Sequence, residues 1–299
     1  GLGDLRGIKH AFRDMAVAKK MKVKNVGDVE EIKPSNEAEI AESTDYAGIM
    51  ESATHYDGFV SIDDKNTSGI IYQAVGSERY LVTFHGTGGH SFTGFGIPNP
   101  IHAMGRAIAK ISDFQTPKNP KTTFSVGVIN GGTSVNVIAA ECSMLVDMRS
   151  VDAGELEKLS VKFHQAVENA VQEENARWED KDNRITVTFE QKGKRPAGTQ
   201  DKSCQIVQAA NAANQALGME TLYIGAASTD ANIPISLGIP AITVGWGGKG
   251  GGEHTIHEWY EHTESWKGPQ RDLLLLLALS GYKECKKYQL PHLSFEKAL

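Results

Sequence analysis

Apolar and polar residues alternate over several short stretches in the middle of the chain. The alternation covers residues 80–84, 123–129, 142–148 and 185–189, and it predicts four strands that each bury one face. Two helical periodicities lie among these strands. One gives an apolar face made of Ile101, Met104, Ile108 and Ile111, and the other gives one made of Leu156, Leu159, Phe163, Val167 and Val171. The order strand, helix, two strands, helix, strand predicts an α+β sandwich of the split βαβ kind over residues 76–192.

The pattern differs on both sides of this sandwich. An apolar run at 59–62 ends abruptly in Asp63 and Asp64, which predicts a buried strand with acidic residues at its end. After residue 198 the pattern predicts a helix at 203–217, strands at 222–224 and 241–244, and a closing helix from Pro269. Such alternation is typical of an α/β domain with a largely parallel sheet. We therefore predict an α/β domain in two pieces, residues 1–76 and 193–299, with the sandwich inserted as residues 77–192.

Charge, hydropathy and cysteine content bear on the partners and the compartment of the protein. The formal net charge is −6, and the charges are spread along the chain, so a nucleic-acid partner is not indicated. The longest apolar run, residues 273–279, is far shorter than the roughly 20 residues that span a bilayer, so no membrane partner is expected. Three cysteines without a Cys-x-x-Cys spacing predict thiols in a reducing, cytoplasmic compartment. Residues 14–42 predict helical pieces in a solvated insertion.

Two features are candidates for metal binding. A glycine-rich loop at residues 247–252 delivers His254, with His257 close behind, and such a loop can place an imidazole on a metal at the edge of a sheet. The carboxylate of Asp63, leaving a strand end, is a suitable oxygen ligand for zinc. Each feature also has a plain structural interpretation: the glycines can simply turn the chain, and Asp63 can be a turn residue or a helix cap.

Three further clusters offer hydrogen-bond donors. His90 follows a glycine turn and can donate to an oxyanion, although the same residues are typical of an ordinary hairpin. Asn136 can donate to a carbonyl, and Arg149 can bind a carboxylate through two hydrogen bonds or simply pair with Asp147. The turn at residues 225–232 can line a pocket or cap the following helix. Its candidate residues are Ser228, Thr229 and Asp230.

Taken together, these clusters resemble metallopeptidase family 20, which includes peptidase T, glutamate carboxypeptidase and acetylornithine deacetylase. The opening residues 1–7 resemble the segment that follows the family's Glu-Glu-Gly, and residues 59–63 resemble the strand that carries a later carboxylate ligand. Residues 86–90 match the Gly-x-x-x-His motif of the dimerisation domain. Residues 131–138 match its Gly-Gly-x-x-x-Asn-x-Ile element, and residues 228–231 resemble the Gly-Gly-Thr-Asp-Ala turn. His254, four residues before Glu258, matches the last metal ligand.

The resemblance implies a zinc-exopeptidase-like catalytic domain, incomplete in this chain, with an inserted dimerisation domain. It implies two zinc ions per active site, with Asp63 and His254 as ligands. It makes His90 the oxyanion donor, reaching in from the second subunit of a homodimer. Asn136, Arg149, Ser228, Thr229, Asp230, Gly247 and Gly248 would contact substrate.

The family's His-x-Asp motif, bridging Asp and Glu-Glu pair would all precede Gly1, so the chain is expected to be N-terminally truncated and inactive by itself. The leading expectation for the complete enzyme is an aminopeptidase acting on di- or tripeptides. An N-acyl-amino-acid deacylase and a non-catalytic dimerising module are the alternatives.

Overall fold

A computed structural model describes residues 57–253 and 255–281. The predicted helical pieces at 14–42, the opening segment, Cys285 and the predicted ligand His254 lie outside these residues. The longer strands are β1 (Phe59–Asp64), β2 (Gly69–Ala74), β3 (Gly76–His85), β5 (Thr122–Gly131), β7 (Glu141–Ser150), β8 (Thr186–Arg195), β9 (Leu222–Ala227) and β10 (Ala241–Gly245). The short strands are β4 (Gly89–His90), β6 (Val137–Ile138), β11 (Lys249–Gly251) and β12 (Trp259–Glu261). The helices are α1 (Pro100–Ser112), α2 (Ala153–Ala176), α3 (Gln205–Ala216), α4 (Asn232–Ser236) and α5 (Lys267–Ser280).

The chain divides into two compact units. The first contains residues 73–199 and 226–228, and the second contains the described residues 57–72, 200–225 and 229–281. The main sheet of the first unit has the strand order β5-β7-β3-β8, and all its neighbouring strands are antiparallel. With helices α1 and α2 connecting the strands, this is the predicted split βαβ sandwich.

The core of the first unit lies between this sheet and the two helices. The predicted apolar face of α2 is confirmed, since all five of its residues are buried. For α1 the prediction is wrong at Ile101, which is 37% exposed, because the buried stripe runs through Ala103, Met104, Ala107 and Ile111. Two of the four residues of this stripe are alanines, and Ile101 lies outside it.

The sheet of the second unit has the order β1-β10-β2-β9. Strand β1 is parallel to β10, but β2 is antiparallel to β10, so the sheet is mixed where a largely parallel one was predicted. The reason is the short connection of residues 65–68, which cannot carry the chain back to the other end of the sheet before β2 begins.

Strand β1 is an edge strand of this sheet within the described residues, and the prediction of a buried strand is wrong. Ile62 is 52% exposed, and Ser61 is the buried residue of β1. The core lies further inside, where α3 and α5 pack against the sheet through Ile70, Ile206, Val207, Ile242, Val244 and Leu275. In the described part of the chain, no helix combines the length and apolar character needed to cross a bilayer.

A fully buried arginine joins three segments of the second unit. Arg271, on α5, donates to the carbonyl oxygens of Thr67, after β1, and Gly245, at the end of β10. Its guanidinium also binds Asp272 Oδ1, with an Nη2–Oδ1 distance of 2.8 Å. A buried cation is stable only when such partners replace its lost hydration. Arg271 therefore fixes the loop after β1 against the end of β10.

We expect Arg271→Met to lower the free energy of unfolding by about 2–4 kcal/mol, because two buried carbonyl groups and Asp272 lose their partner. Urea denaturation at neutral pH measures this change. Arg184→Met removes an exposed arginine and should stay within about 0.5 kcal/mol of the parent protein. Equal stability of the two variants would contradict the role assigned to Arg271.

Candidate active site

Two consecutive carboxylates lie at the C-terminal end of β1. The pairing with β10 matches Ile62 with Val244 and Asp64 with Gly245, and the register shifts between them at Asp63. Asp63 is exposed, whereas Asp64 is half-buried and accepts a hydrogen bond from Asn66 Nδ2 at 3.2 Å. Burial raises the pKa of Asp64 above its usual range, and hydrogen bonds from Asn66 oppose this rise only in part. Because β1 and β10 are parallel, Asp63 and the loop after Gly245 lie at the same edge of the sheet.

The glycine loop after β10 is packed closely against other backbone. Gly247 and Gly248 have φ values of 93° and 78°, in the left-handed region that favours glycine. A Cβ atom on Gly247 would lie 2.2 Å from the Ser265 carbonyl oxygen, and one on Gly248 would lie 2.5 Å from that of Glu261. Both glycines are buried, so their observed role is to turn the chain. Gly248 also lines a cleft of about 600 Å³, whereas Gly247 does not.

An ion pair connects the chain beside Asp63 to the chain beside His254. Lys65 Nζ lies 3.0 Å from Glu253 Oε2, and these residues are close neighbours of the two predicted ligands. The Thr255 N–H donates to the Gly252 carbonyl oxygen at 3.1 Å. The ion pair thus joins a residue two positions after Asp63 to the residue before His254.

A metal site can be judged here from the donors that are present. Within residues 57–253 and 255–281, no group of three or more His, Cys, Asp and Glu side chains is arranged to hold a metal ion. The exposed carboxylate of Asp63 and the imidazole of His254 are both donor types that zinc accepts. These two residues fit as part of a zinc site and would need further ligands to complete it.

The first unit brings His90 and Asn136 together. The pairing of β4 with β6 places His90 opposite Val137, and the Ser91 N–H donates to the Asn136 carbonyl oxygen at 2.9 Å. His90 and Asn136 are both exposed. The Phe92 N–H donates to His90 Nδ1 at 3.2 Å, and the Asn136 amide oxygen accepts from Ser134 Oγ at 2.8 Å. Local backbone and hydroxyl contacts therefore orient both side chains.

Arg149 lies elsewhere on the same sheet. It pairs with Asp147, with an Nε–Oδ2 distance of 2.7 Å, and Arg79 Nε binds the other carboxylate oxygen at 2.8 Å. Burial by itself would raise the pKa of Asp147, but the two arginines outweigh this effect and lower it. Arg149 is opposite Ser77 at the start of β3, whereas β4 and His90 follow the end of β3. Strand β3 spans about 26 Å between these ends, so one copy of the chain does not bring Arg149 to His90.

The turn after β9 shows structural roles for two predicted substrate contacts. Ser228 Oγ accepts a hydrogen bond from Arg195 Nη1 at 2.9 Å. The Thr229 hydroxyl is buried and lies 2.7 Å from the Thr243 hydroxyl, and the Ala231 N–H also donates to it. Asp230 is exposed. The Thr229 hydroxyl thus closes a turn before α4, but the N-cap residue of α4 is Ala231 and makes no side-chain cap hydrogen bond, so the capping role that the sequence offered as the alternative is not observed.

Sequence reasoning missed a buried glutamate that supports the segment after His90. Glu174, on α2, is fully buried and binds Arg106 Nε at 3.0 Å, Trp178 Nε1 at 3.1 Å and the Asn99 N–H at 3.3 Å. Burial by itself would raise the pKa of Glu174, but these donors outweigh it and lower the pKa. Asn99 caps α1, so Glu174 fixes the end of the segment that begins at His90. Its only sequence signal is a Glu on the apolar side of a helix.

Comparisons with known proteins agree with this architecture. A sequence profile of the peptidase dimerisation domain matches residues 72–175. Comparison with curated protein sequences gave no match. Among solved structures, aminopeptidase PepT from Bacillus cereus has a TM-score of 0.61 at 18% identity, over 76% of this chain and 60% of that chain.

Two other solved structures share the fold. A tripeptidase from Staphylococcus aureus has a TM-score of 0.60 at 21% identity, over 73% of this chain and 56% of that one. The aminobenzoyl-glutamate utilization protein from Klebsiella pneumoniae has a TM-score of 0.55 at 14% identity, over 76% of this chain and 55% of that one. The chain thus spans 60% or less of the length of these three proteins. Residues 72–175 thus match an M20 peptidase dimerisation domain, and the described chain shares its fold with these three proteins.

Proposed function

We propose that the protein acts, in its complete form, as a zinc-dependent hydrolase of peptide bonds in small peptides, an aminopeptidase for di- or tripeptides. The observation that carries this proposal is the Lys65–Glu253 ion pair, which joins the loop after Asp63 to the residue before His254. Asp63 and His254 would be ligands of a two-zinc site.

The free thiols of Cys142 and Cys204 are consistent with a cytoplasmic location.

Zinc, when bound, would polarise the scissile carbonyl group and lower the pKa of an attacking water to about 7. The protein's own residues would then stabilise the negative charge that develops on the carbonyl oxygen. His90 suits this task because two backbone N–H groups, from Phe92 and Thr93, donate to its Nδ1. Nδ1 must therefore act as the acceptor, and the proton of the neutral ring lies on Nε2, where it can be donated to an oxyanion.

Substrate binding would use two regions of the dimerisation domain. The Asn136 side-chain amide, beside His90, would donate to a backbone carbonyl of the substrate. Arg149 would bind the terminal carboxylate with its guanidinium, while Asp147 and Arg79 orient it. Because Arg149 and His90 lie at opposite ends of β3, we infer that one site takes His90 and Asn136 from one copy and Arg149 from the other. Ser228, Asp230 and Gly248 remain proposed pocket residues.

A deacylase of N-acyl amino acids is the second candidate. Arg149 favours it as much as it favours a peptidase, because both kinds of substrate carry a carboxylate. The two differ at the amino group, which is cationic in a peptide and neutral after acylation.

The full-length protein encoded by the gene should hydrolyse dipeptides or tripeptides only when zinc is supplied. Asp63→Asn and His254→Ala should each lower kcat/KM by at least about 100-fold, because each loses a metal ligand. The measurement is turnover of a panel of free and N-acetylated peptides together with zinc content. Glu261→Gln, an exposed acidic residue on β12 of the same unit and outside the proposed ligands and pocket residues, is the control. Zinc-dependent cleavage of acylated substrates alone would favour the deacylase. No turnover with any substrate would favour a non-catalytic dimerising module.

The proposed homodimer would form through β5, which is an edge strand of its sheet within the described residues. Val128 and Ile129 on β5 are 45% and 59% exposed, and Val135, in the neighbouring loop, is fully exposed. An exposed apolar edge strand is a ready site for pairing with a second chain.

We expect Ile129→Lys to convert the dimer into a monomer, because a charge in an apolar interface is costly to bury. Light scattering after size-exclusion chromatography measures the mass directly. Val161→Lys changes an equally exposed apolar residue on α2 and should leave the dimer intact. A dimer that survives Ile129→Lys but not Val161→Lys would place the interface on the helical face instead.

The proposed oxyanion role of His90 predicts a specific tautomer. In a long-range ¹H–¹⁵N spectrum recorded where the ring is neutral, His90 Nδ1 should appear as the unprotonated nitrogen and Nε2 as the protonated one. His257, which is exposed and has no backbone donor to its ring among the described residues, should show a mixture of tautomers. A proton on Nδ1 of His90 would rule out the donor arrangement.

A further inference from the structure

Three aromatic rings and two carboxylates surround a small cavity in the second unit. The cavity has a volume of about 180 Å³ and is lined by Trp246, Trp259, Tyr260, Glu253 and Glu258, over the backbone of Gly250 and Gly251. The Trp246 and Tyr260 rings meet edge to face, with their centroids 5.0 Å apart. Trp259 and Tyr260 are each more than half exposed, although they belong to a paired strand.

The glycines explain how the rings reach these positions. A Cβ atom on Gly250 would lie 2.5 Å from the Trp246 ring, and one on Gly251 would lie 3.0 Å from Trp259 Nε1. In the pairing of β11 with β12, Gly250 faces Tyr260 and Gly251 faces Trp259. The rings therefore lie directly on bare backbone, and a side chain at either glycine would collide with an indole ring.

The carboxylates decide which ligands suit this cavity. An anion would be repelled by Glu253 and Glu258, and a purely apolar ligand would strip water from the carboxylates without compensation. An alkylammonium group satisfies both parts, because aromatic faces attract cations and carboxylates accept their hydrogen bonds. Glu253 already binds one such group, the ammonium of Lys65, at 3.0 Å.

We propose that this cavity is a binding subsite for an alkylammonium group of a ligand, held by Trp246, Trp259, Tyr260 and Glu258. The identity of the ligand rests on the proposed function, because the cavity-lining carboxylates are neighbours of the predicted metal ligands in the chain. Glu253 and Glu258 flank the predicted ligand His254 in the chain, and Lys65 lies two residues after Asp63. The ammonium group would then be the free amino group of a peptide substrate, which an N-acylated amino acid lacks.

Binding can be measured without zinc and without turnover. Butylammonium ion is titrated into the metal-free protein, and butan-1-ol, of similar size but uncharged, serves as the neutral comparison. The signals are the indole N–H resonances, since two of the four tryptophans, Trp246 and Trp259, line the cavity, and Trp178 and Trp266 do not. We expect shifts of Trp246 and Trp259 alone, with butylammonium binding about tenfold more tightly than butan-1-ol.

Variants locate the site. Glu258→Gln should weaken butylammonium binding about three- to tenfold by removing an exposed charge, without changing side-chain size. Glu261→Gln removes an equivalent charge on β12 outside the cavity and should leave binding unchanged. Equal binding of butan-1-ol, or equal loss in the two variants, would overturn the proposal.

Hydrolysis provides a separate test of the link to catalysis. In the full-length enzyme, Glu258→Gln should raise KM for a free dipeptide and leave KM for its N-acetyl form unchanged. If the indole resonances respond to butylammonium but no hydrolysis is found, the subsite stands and the proposed function fails. If the resonances do not respond, the subsite fails whatever the enzyme hydrolyses.

Discussion

The sheet edge of the second unit depends on the buried guanidinium of Arg271. It binds the carbonyl oxygens of Thr67 and Gly245. If the loop after β1 and the end of β10 moved apart, this buried cation would lose partners that replace its hydration. Asp63 lies just before the first of these loops, and the glycine loop begins just after the second. One arginine on a leucine-rich helix thus fixes the loop that follows Asp63 and the start of the glycine loop.

The glycines at this edge allow close packing against backbone and aromatic rings. The residues Gly247 and Gly248 approach neighbouring carbonyl oxygens so closely that no side chain fits, and Gly250 and Gly251 do the same beneath the indole rings. From the sequence, the glycines predict either a loop that delivers a histidine or a plain turn of the chain. The structure shows a short hairpin instead, in which close packing of backbone and aromatic rings creates a cavity. The absence of side chains is what allows that packing.

The first unit separates two tasks along one strand. His90 and Asn136 lie beyond one end of β3, supported by the buried Glu174, and the Arg79–Asp147–Arg149 cluster lies towards the other end. Antiparallel pairing over the full length of β3 makes this separation rigid. A second copy is therefore a physical requirement of the proposed site, if the two groups are to act on one small substrate.

Much of the fold could be predicted from sequence, because it rests on periodicity that a strand or helix imposes on its own residues. The split βαβ order, the buried face of α2 and the dimerisation domain followed from such patterns and from short motifs in the right order. What the patterns could not supply was the environment of individual side chains. Ile62 and Ile101 look like core residues and are not, because an edge position and neighbouring alanines decide their exposure. The burial of Arg271 and Glu174 and the ring-lined cavity cannot be predicted from a local pattern either, since each depends on residues far apart in the chain.

The sequence by itself determined the secondary-structure elements and the side-chain chemistry that they carry. The tertiary structure alone decided which charges are buried and which groups meet, because desolvation and contact are properties of packed neighbours.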